Sequence, residues 1–70
     1  MNDRELIYNL VTVDIYKTKR ALNPSIKKTI DKRILGIKTA TEVAELVRKE
    51  YPKAYRISIY DGDVNFVGNY

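Results

Sequence analysis

The sequence predicts a small α+β protein in two layers, in the order β-α-α-β-β, with a three-stranded sheet and two helices on one of its faces. Three observations support this prediction. A β-branched segment near the N-terminus alternates apolar and polar residues. The middle of the chain has residues typical of helix ends, and the C-terminal segment has the pattern of a β-hairpin. Residues 1–70 are expected to form a single domain, which buries only about 60% of its unfolded surface.

The first strand is predicted within residues 6–18, LIYNLVTVDIYKT. Val13 and Ile15 fall on one face of this strand, and Asp14 and Tyr16 fall on the other. The beginning of the segment leaves an alternative open, because its apolar residues also fit a short helix over residues 3–10. Since both faces of residues 6–11 are fairly apolar, a homodimer through strand 6–16 is also expected.

A first helix is predicted over residues 24–35. Asn23 is the expected N-cap, Pro24 occupies the first helical position, and Gly36 ends the helix. Its apolar ridge, at a spacing of four residues, consists of Ile26, Ile30, Ile34 and Ile37.

A second helix is predicted to begin at a capping box formed by Thr39 and Glu42 and to end at Pro52. Its apolar face consists of Val43, Ala44, Val47 and Tyr51. Together with the hairpin that follows, the two helices also fit a winged-helix-like arrangement, which is the alternative fold. The outward-facing Glu42 and Glu45 argue against that alternative, because phosphates would repel them.

The C-terminal hairpin is predicted to turn at Asp61-Gly62, a dipeptide typical of two-residue type I′ turns. This register places Val64 opposite Ile59 and Phe66 opposite Ile57, on the core face. The opposite face would then carry Arg56, Ser58, Tyr60 and Val67. The strand order stays open: the first strand pairs antiparallel with the last strand or parallel with the middle one.

Positive charge is concentrated in residues 17–38. The chain has a net charge of +4, but this segment carries eight basic side chains against Asp31 alone, a net charge of +7. Lysines near a helix N-terminus oppose the helix dipole, which suggests a surface for anions. A solvated lysine face that keeps a small protein soluble explains the pattern equally well. The predicted nucleic-acid or anion-binding residues are Lys17, Lys19, Arg20, Lys27, Lys28, Lys32, Arg33 and Lys38.

Tyrosine is unusually frequent, with six residues against one phenylalanine. Tyr16 and Tyr60 are predicted on the sheet face opposite the core, and Arg56 shares that face. Such residues stack on single-stranded bases or anchor protein interfaces. A half-buried tyrosine that only fills a sheet position is the plainer interpretation. The order of elements does not match an RNA-recognition motif.

The chain has few of the residue types that enzymes commonly use for catalysis. The chain has no cysteine and no histidine, and its three glycines form no phosphate-binding loop. Asp61 and Asp63 are explained by the chemistry of the turn. We therefore expect no enzyme activity, no metal site and no cofactor.

The sequence predicts a small, non-catalytic, basic binding protein of the cytoplasm that contacts nucleic-acid phosphates through residues 17–38. The alternative is a protein–protein interaction module, such as a phage- or plasmid-type inhibitor or adaptor, that docks on an acidic protein surface. No membrane span is expected, because no apolar run approaches the ~20 residues that one needs.

Overall fold

The computed structural model of the protein describes residues 5–70. Its elements follow in the order β1 (Leu10–Tyr16), β2 (Ile26–Asp31), α1 (Lys32–Leu35), α2 (Ala40–Glu50), β3 (Arg56–Asp61) and β4 (Asn65–Asn69). The four strands form one antiparallel sheet in the order β2-β1-β3-β4. The α+β class was predicted correctly, whereas the three-stranded sheet and the β-α-α-β-β order are wrong. The winged-helix alternative is wrong as well, because α1 is only four residues long and four strands form the sheet.

The predicted helix over residues 24–35 is wrong, since half of this segment forms β2 and only its last four residues are helical. Ile26 and Ile30 are four residues apart, and this spacing places two residues on one face of a helix and equally on one face of a strand. The pairing of β2 with β1 decides between the two, because it aligns Ile26 with Ile15. Helical structure begins only at Lys32, and Gly36 ends it in a left-handed conformation with φ of 67°, as predicted.

β1 confirms the first strand and the assignment of its faces. Val13 and Ile15 are fully buried, whereas Tyr16 lies on the opposite face. β2 and β3 occupy both edges of this central strand. Neither edge of β1 is therefore free to pair with a second copy, and the homodimer stays a prediction. Residues 5–9 form no helix, and the start of the alternative helix over 3–10 lies outside the described residues.

α2 packs on one face of the sheet and completes the core. It begins at the predicted capping box, in which the Glu42 amide donates to Thr39 Oγ1 at 3.4 Å. Val43 and Val47 are buried against Ile57 and Ile59 of β3 within one apolar cluster. Among the described residues, no helix is long and apolar enough to cross a membrane.

β3 and β4 form the predicted hairpin, but with a different turn. Asp61 is the last residue of β3, and residues 62–64 make a three-residue connection instead of a two-residue turn. Gly62 adopts a positive φ of 73°, and a Cβ atom built on it would lie 3.2 Å from the Tyr8 ring. Glycine is therefore required at this position both by the backbone and by the ring packed against it.

The register of the hairpin also differs from the prediction. Tyr60 is opposite Phe66, whereas Ile59 is opposite Gly68, so that β4 contains an extra residue, Val67, in a β-bulge. Phe66 consequently shares the face of Tyr60 and does not enter the core. The predicted pairing of Val64 with Ile59 is wrong for the same reason, and Val64 is 81% exposed.

Candidate functional site

The face of the sheet opposite α2 is called the open face here. Its residues alternate along each strand with the buried core residues, so that cross-strand partners form rows that run perpendicular to the strands. The open face consists of Leu10, Thr12, Asp14 and Tyr16 from β1, Lys27, Thr29 and Asp31 from β2, Arg56, Ser58 and Tyr60 from β3, and Phe66 and Asn69 from β4.

Tyr16 and Arg56 form the row at one end of the open face. They are cross-strand partners, and the Arg56 guanidinium carbon lies 4.1 Å from the centroid of the Tyr16 ring. Both side chains are half-buried. This distance is a cation–π contact, in which the flat guanidinium occupies one side of the ring.

Tyr60 and Phe66 form a second row, four residues further along β3 than Arg56. Their ring centroids are 5.5 Å apart and the rings meet edge to face, at an interplanar angle of 64°. Phe66 is half-exposed. Because residues of one strand rise by about 3.4 Å each, this row lies roughly 13 Å from the row of Tyr16 and Arg56.

A polar row separates the two aromatic rows. It crosses all four strands in the order Lys27, Asp14, Ser58 and Asn69. The Ser58 hydroxyl donates to Asn69 Oδ1 at 2.6 Å, which ties β3 to β4. Asp14 and Ser58 are both buried, with 7% and 3% of their surface exposed. The open face therefore has a polar middle between two aromatic rows.

Two buried side-chain atoms of this face have no hydrogen-bond partner within the described chain: Asp14 Oδ1 and Arg56 Nε. Lys27 is the cross-strand neighbour of Asp14, but among residues 5–70 the ion pairs join other residues. A buried polar atom without a partner is costly, and in folded proteins such atoms are uncommon. The two unpaired atoms are an acceptor and a donor, and their strands are adjacent.

Three predicted basic residues lie in the loop that connects β1 to β2. Lys17, Lys19 and Arg20 follow directly after Tyr16 and are exposed. Lys27 is also exposed and lies on the open face itself. These four cations border the end of the open face that carries Tyr16 and Arg56.

Lys28 lies on the other side of the sheet. It is aligned with Val13 on the core face, and its ammonium lies 2.8 Å from Glu50 Oε2 at the end of α2 and 5.4 Å from the centroid of the Tyr51 ring. The hydrogen bond to Glu50 raises the pKa of Lys28 above its ordinary value and lowers the pKa of Glu50. The structure therefore uses Lys28 to join β2 to α2.

The remaining basic residues of the segment are distributed around α1. Lys32 Nζ donates to the Leu6 carbonyl oxygen. Arg33 Nη2 lies 2.8 Å from Asp31 Oδ2, and this contact lowers the pKa of Asp31. Lys38 is exposed, away from the open face. The eight predicted cations thus do not form one surface, because β2 alternates its faces and the short α1 turns the chain away.

A second exposed surface lies at the end of the sheet near the β3–β4 connection and is called the apolar end patch here. Two adjoining cavities, of about 420 and 460 Å³, share Tyr8 and Val64 in their linings. The patch consists of Ile7, Tyr8, Leu10, Val64 and Phe66, all of which are exposed. Exposed apolar side chains that cluster in one region are typical of surfaces that bind a partner.

Two residues of the open face were missed by the sequence analysis. Phe66 was assigned to the core because a local pattern does not reveal the bulge at Val67. Asp14 was assigned to the correct face but not to the site. An acidic residue in the middle of a β-branched strand is the signal that could have singled it out, because Asp is depleted in strands.

Within residues 5–70, no group of carboxylates converges in a way that could hold a metal ion. No protein-family model, curated protein or solved structure matches this chain.

Proposed function

We propose that this protein is a non-catalytic binding protein that holds single-stranded nucleic acid on the open face of its sheet. The observation that carries the proposal is the pairing of two aromatic rows, Tyr16 with Arg56 and Tyr60 with Phe66, on a sheet face opposite the helix layer. Some four-stranded sheets that bind RNA stack two or three bases on aromatic side chains of one face.

The charges near the open face suit this partner. The loop residues Lys17, Lys19 and Arg20 and the β2 residue Lys27 are exposed where the chain leaves the row of Tyr16. These cations would hold phosphates while the aromatic rings hold bases. The proposal replaces the helical lysine surface that the sequence suggested, since Lys28 and Arg33 are engaged in ion pairs with Glu50 and Asp31.

Fluorescence anisotropy of labelled single- and double-stranded DNA and RNA, at two salt concentrations, tests the proposal. We expect single strands to bind more tightly than duplexes, with affinity that falls steeply as salt rises. Lys19→Gln should reduce the salt slope by about one, because one phosphate contact is lost. Lys49→Gln, on the exposed face of α2, is the matched control and should leave the slope unchanged.

The aromatic part of the proposal has its own variant. Tyr60→Ala should weaken single-strand binding by about 1–3 kcal/mol through the loss of base stacking. Tyr55→Ala removes an equally large, exposed ring outside the open face and should have no effect. Equal binding by both variants and the original protein would contradict stacking on the open face.

The apolar end patch supports a second candidate function, that of a protein-interaction module. Its exposed aliphatic side chains, Ile7 and Val64, offer neither a charge for phosphates nor an aromatic ring for bases. If the protein is an adaptor, Val64→Asp should abolish capture of a protein partner in a pull-down and leave nucleic-acid affinity unchanged. Interfaces of this kind depend on a few buried apolar anchors.

A further inference from the structure

We infer that Asp14 and Arg56 select guanine among the bases bound on the open face. This inference rests on the proposed function and names the base that the polar row between the aromatic rows would take. It starts from the two buried side-chain atoms that lack partners, Asp14 Oδ1 and Arg56 Nε. Both belong to side chains of the open face, and Ser58, the cross-strand partner of Asp14, is two residues from Arg56 in β3.

The two unpaired groups have complementary requirements. The Asp14 carboxylate only accepts hydrogen bonds, and the Arg56 guanidinium only donates them. A ligand that satisfies both must therefore present N–H donors beside an acceptor oxygen or nitrogen.

Guanine meets this requirement best among the four bases. Its Watson–Crick edge carries N2–H and N1–H side by side, which match the two oxygens of one carboxylate, followed by the O6 acceptor, which matches a guanidinium. Adenine, cytosine and thymine each present a single donor group on that edge. Bases unstacked from a single strand are recognised on this edge.

The position of Asp14 in the sheet suits a base held by the aromatic rows. Tyr16 is two residues along β1 on the same face, and Tyr60 is aligned with Thr12, two residues in the other direction. A base that stacks on either ring can bring its edge to the polar row. Asp14 Oδ1 has almost no exposed surface, so binding requires movement of a neighbouring side chain, and Lys27 and Arg56 are the long flexible ones.

The guanidinium of Arg56 makes such a movement part of binding. It now occupies one side of the Tyr16 ring, where a base would stack. A base that takes this place displaces Arg56 toward the polar row, where the guanidinium reaches O6 while the carboxylate accepts from N1–H and N2–H.

The test uses the full chain and four labelled oligothymidylate strands that differ only in the central nucleotide: thymidine, deoxyguanosine, deoxyinosine or 7-deaza-deoxyguanosine. Deoxyinosine lacks the N2 amino group, and the 7-deaza base lacks only the N7 acceptor of the other edge. We expect the guanine strand to bind at least about five-fold more tightly than the all-thymine strand, which is the lower end for a bidentate contact. Inosine should lose most of this preference, and 7-deazaguanine should retain it.

Asp14→Asn is the matching protein variant, since the amide keeps the shape of the side chain but presents one donor and one acceptor. It should bind the guanine strand and the all-thymine strand with equal affinity. Tyr60→Ala is the control, which should weaken all four strands by the same factor.

The outcomes separate this inference from the proposed function. Salt-dependent binding of all four strands with equal affinity would overturn guanine selection and leave the proposed function standing. A preference that persists with inosine, or in folded Asp14→Asn, would also overturn it. Failure to bind any strand would overturn both. If Asp14→Asn does not fold, the comparison of guanine with inosine decides on the original protein.

Discussion

Lys28 Nζ lies 2.8 Å from Glu50 Oε2, and this contact joins the edge strand β2 to the C-terminal end of α2. The two residues are 22 positions apart in the chain. Burying a charged ammonium is costly unless it has a partner or contact with water. Glu50 is the partner of Lys28, and their contact lies at the rim of the core. Lys28 therefore belongs to the fold, whereas its neighbour Lys27 belongs to the open face.

Neutralising these adjacent lysines should have opposite effects. Lys28→Gln should lower the urea midpoint of unfolding, because Glu50 loses its partner, and should leave nucleic-acid affinity unchanged. Lys27→Gln should change stability by less than about 0.5 kcal/mol and weaken binding. Urea denaturation followed by circular dichroism, together with anisotropy, measures both properties. Equal loss of stability in the two variants would contradict the assignment of Lys28 to the core face.

The contact of Lys28 with Glu50 should make stability depend on pH. Because the pKa of Glu50 is lowered in the folded state, its contribution is present above the ordinary carboxyl pKa and is lost as pH falls through the folded value. The thermal midpoint of the original protein should therefore exceed that of Glu50→Gln at pH 7. The difference should shrink as pH falls below the ordinary carboxyl pKa and vanish once Glu50 is protonated in the folded state as well. Glu45→Gln, another exposed position of α2, is the control and should show no such convergence.

Asp61 should be the most important carboxylate for stability. It is buried, and its two oxygens accept from the amides of Ile7 and Tyr8 at 2.7 and 2.8 Å, which anchors the N-terminal segment across β3. Asp61→Ala should cost about 1.5–3 kcal/mol in the free energy of unfolding, as expected for hydrogen bonds to a charged group. Asp63→Ala, in the same connection but exposed, should cost less than about 0.5 kcal/mol. A comparable loss in both variants would show that turn chemistry, and not the anchor, explains the two acids.

The bulged register of the hairpin can be tested with two apolar truncations. Ile59→Val removes one methyl group from a fully buried side chain and should cost about 0.5–1.5 kcal/mol. Val64→Ala removes more carbon from an exposed side chain and should be within about 0.5 kcal/mol of zero. Chemical denaturation measures both. A larger loss for Val64→Ala would favour the two-residue turn, in which Val64 packs opposite Ile59.

The parts of the fold that were predicted correctly depend on neighbours in the chain. The alternation of Val13 and Ile15 with Asp14 and Tyr16 assigns the faces of β1, and the same period assigns those of β3. Thr39 and Glu42 identify the start of α2, because a capping box needs only residues three apart. The open-face positions of Tyr16, Arg56 and Tyr60 follow from these local patterns.

The errors arose where distant partners decide the structure. The spacing of Ile26 and Ile30 fits one face of a helix and one face of a strand equally well, and only the pairing with β1 distinguishes the two structures. The sequence predicted that Lys28 is exposed. Its partner Glu50 is the last residue of α2, 22 residues away in the chain, so no local pattern indicates the contact.

The sequence by itself determined the α+β class, the faces of β1 and β3, and the start of α2, since these depend on interactions within a few residues. The tertiary structure alone decided that β2 is a strand, that a bulge brings Phe66 beside Tyr60, and that the basic residues divide between the core rim and the open face. The physical reason is that cross-strand pairing and burial join residues far apart in the chain. The spacing of apolar residues within one segment does not reveal which distant segment will pair with it.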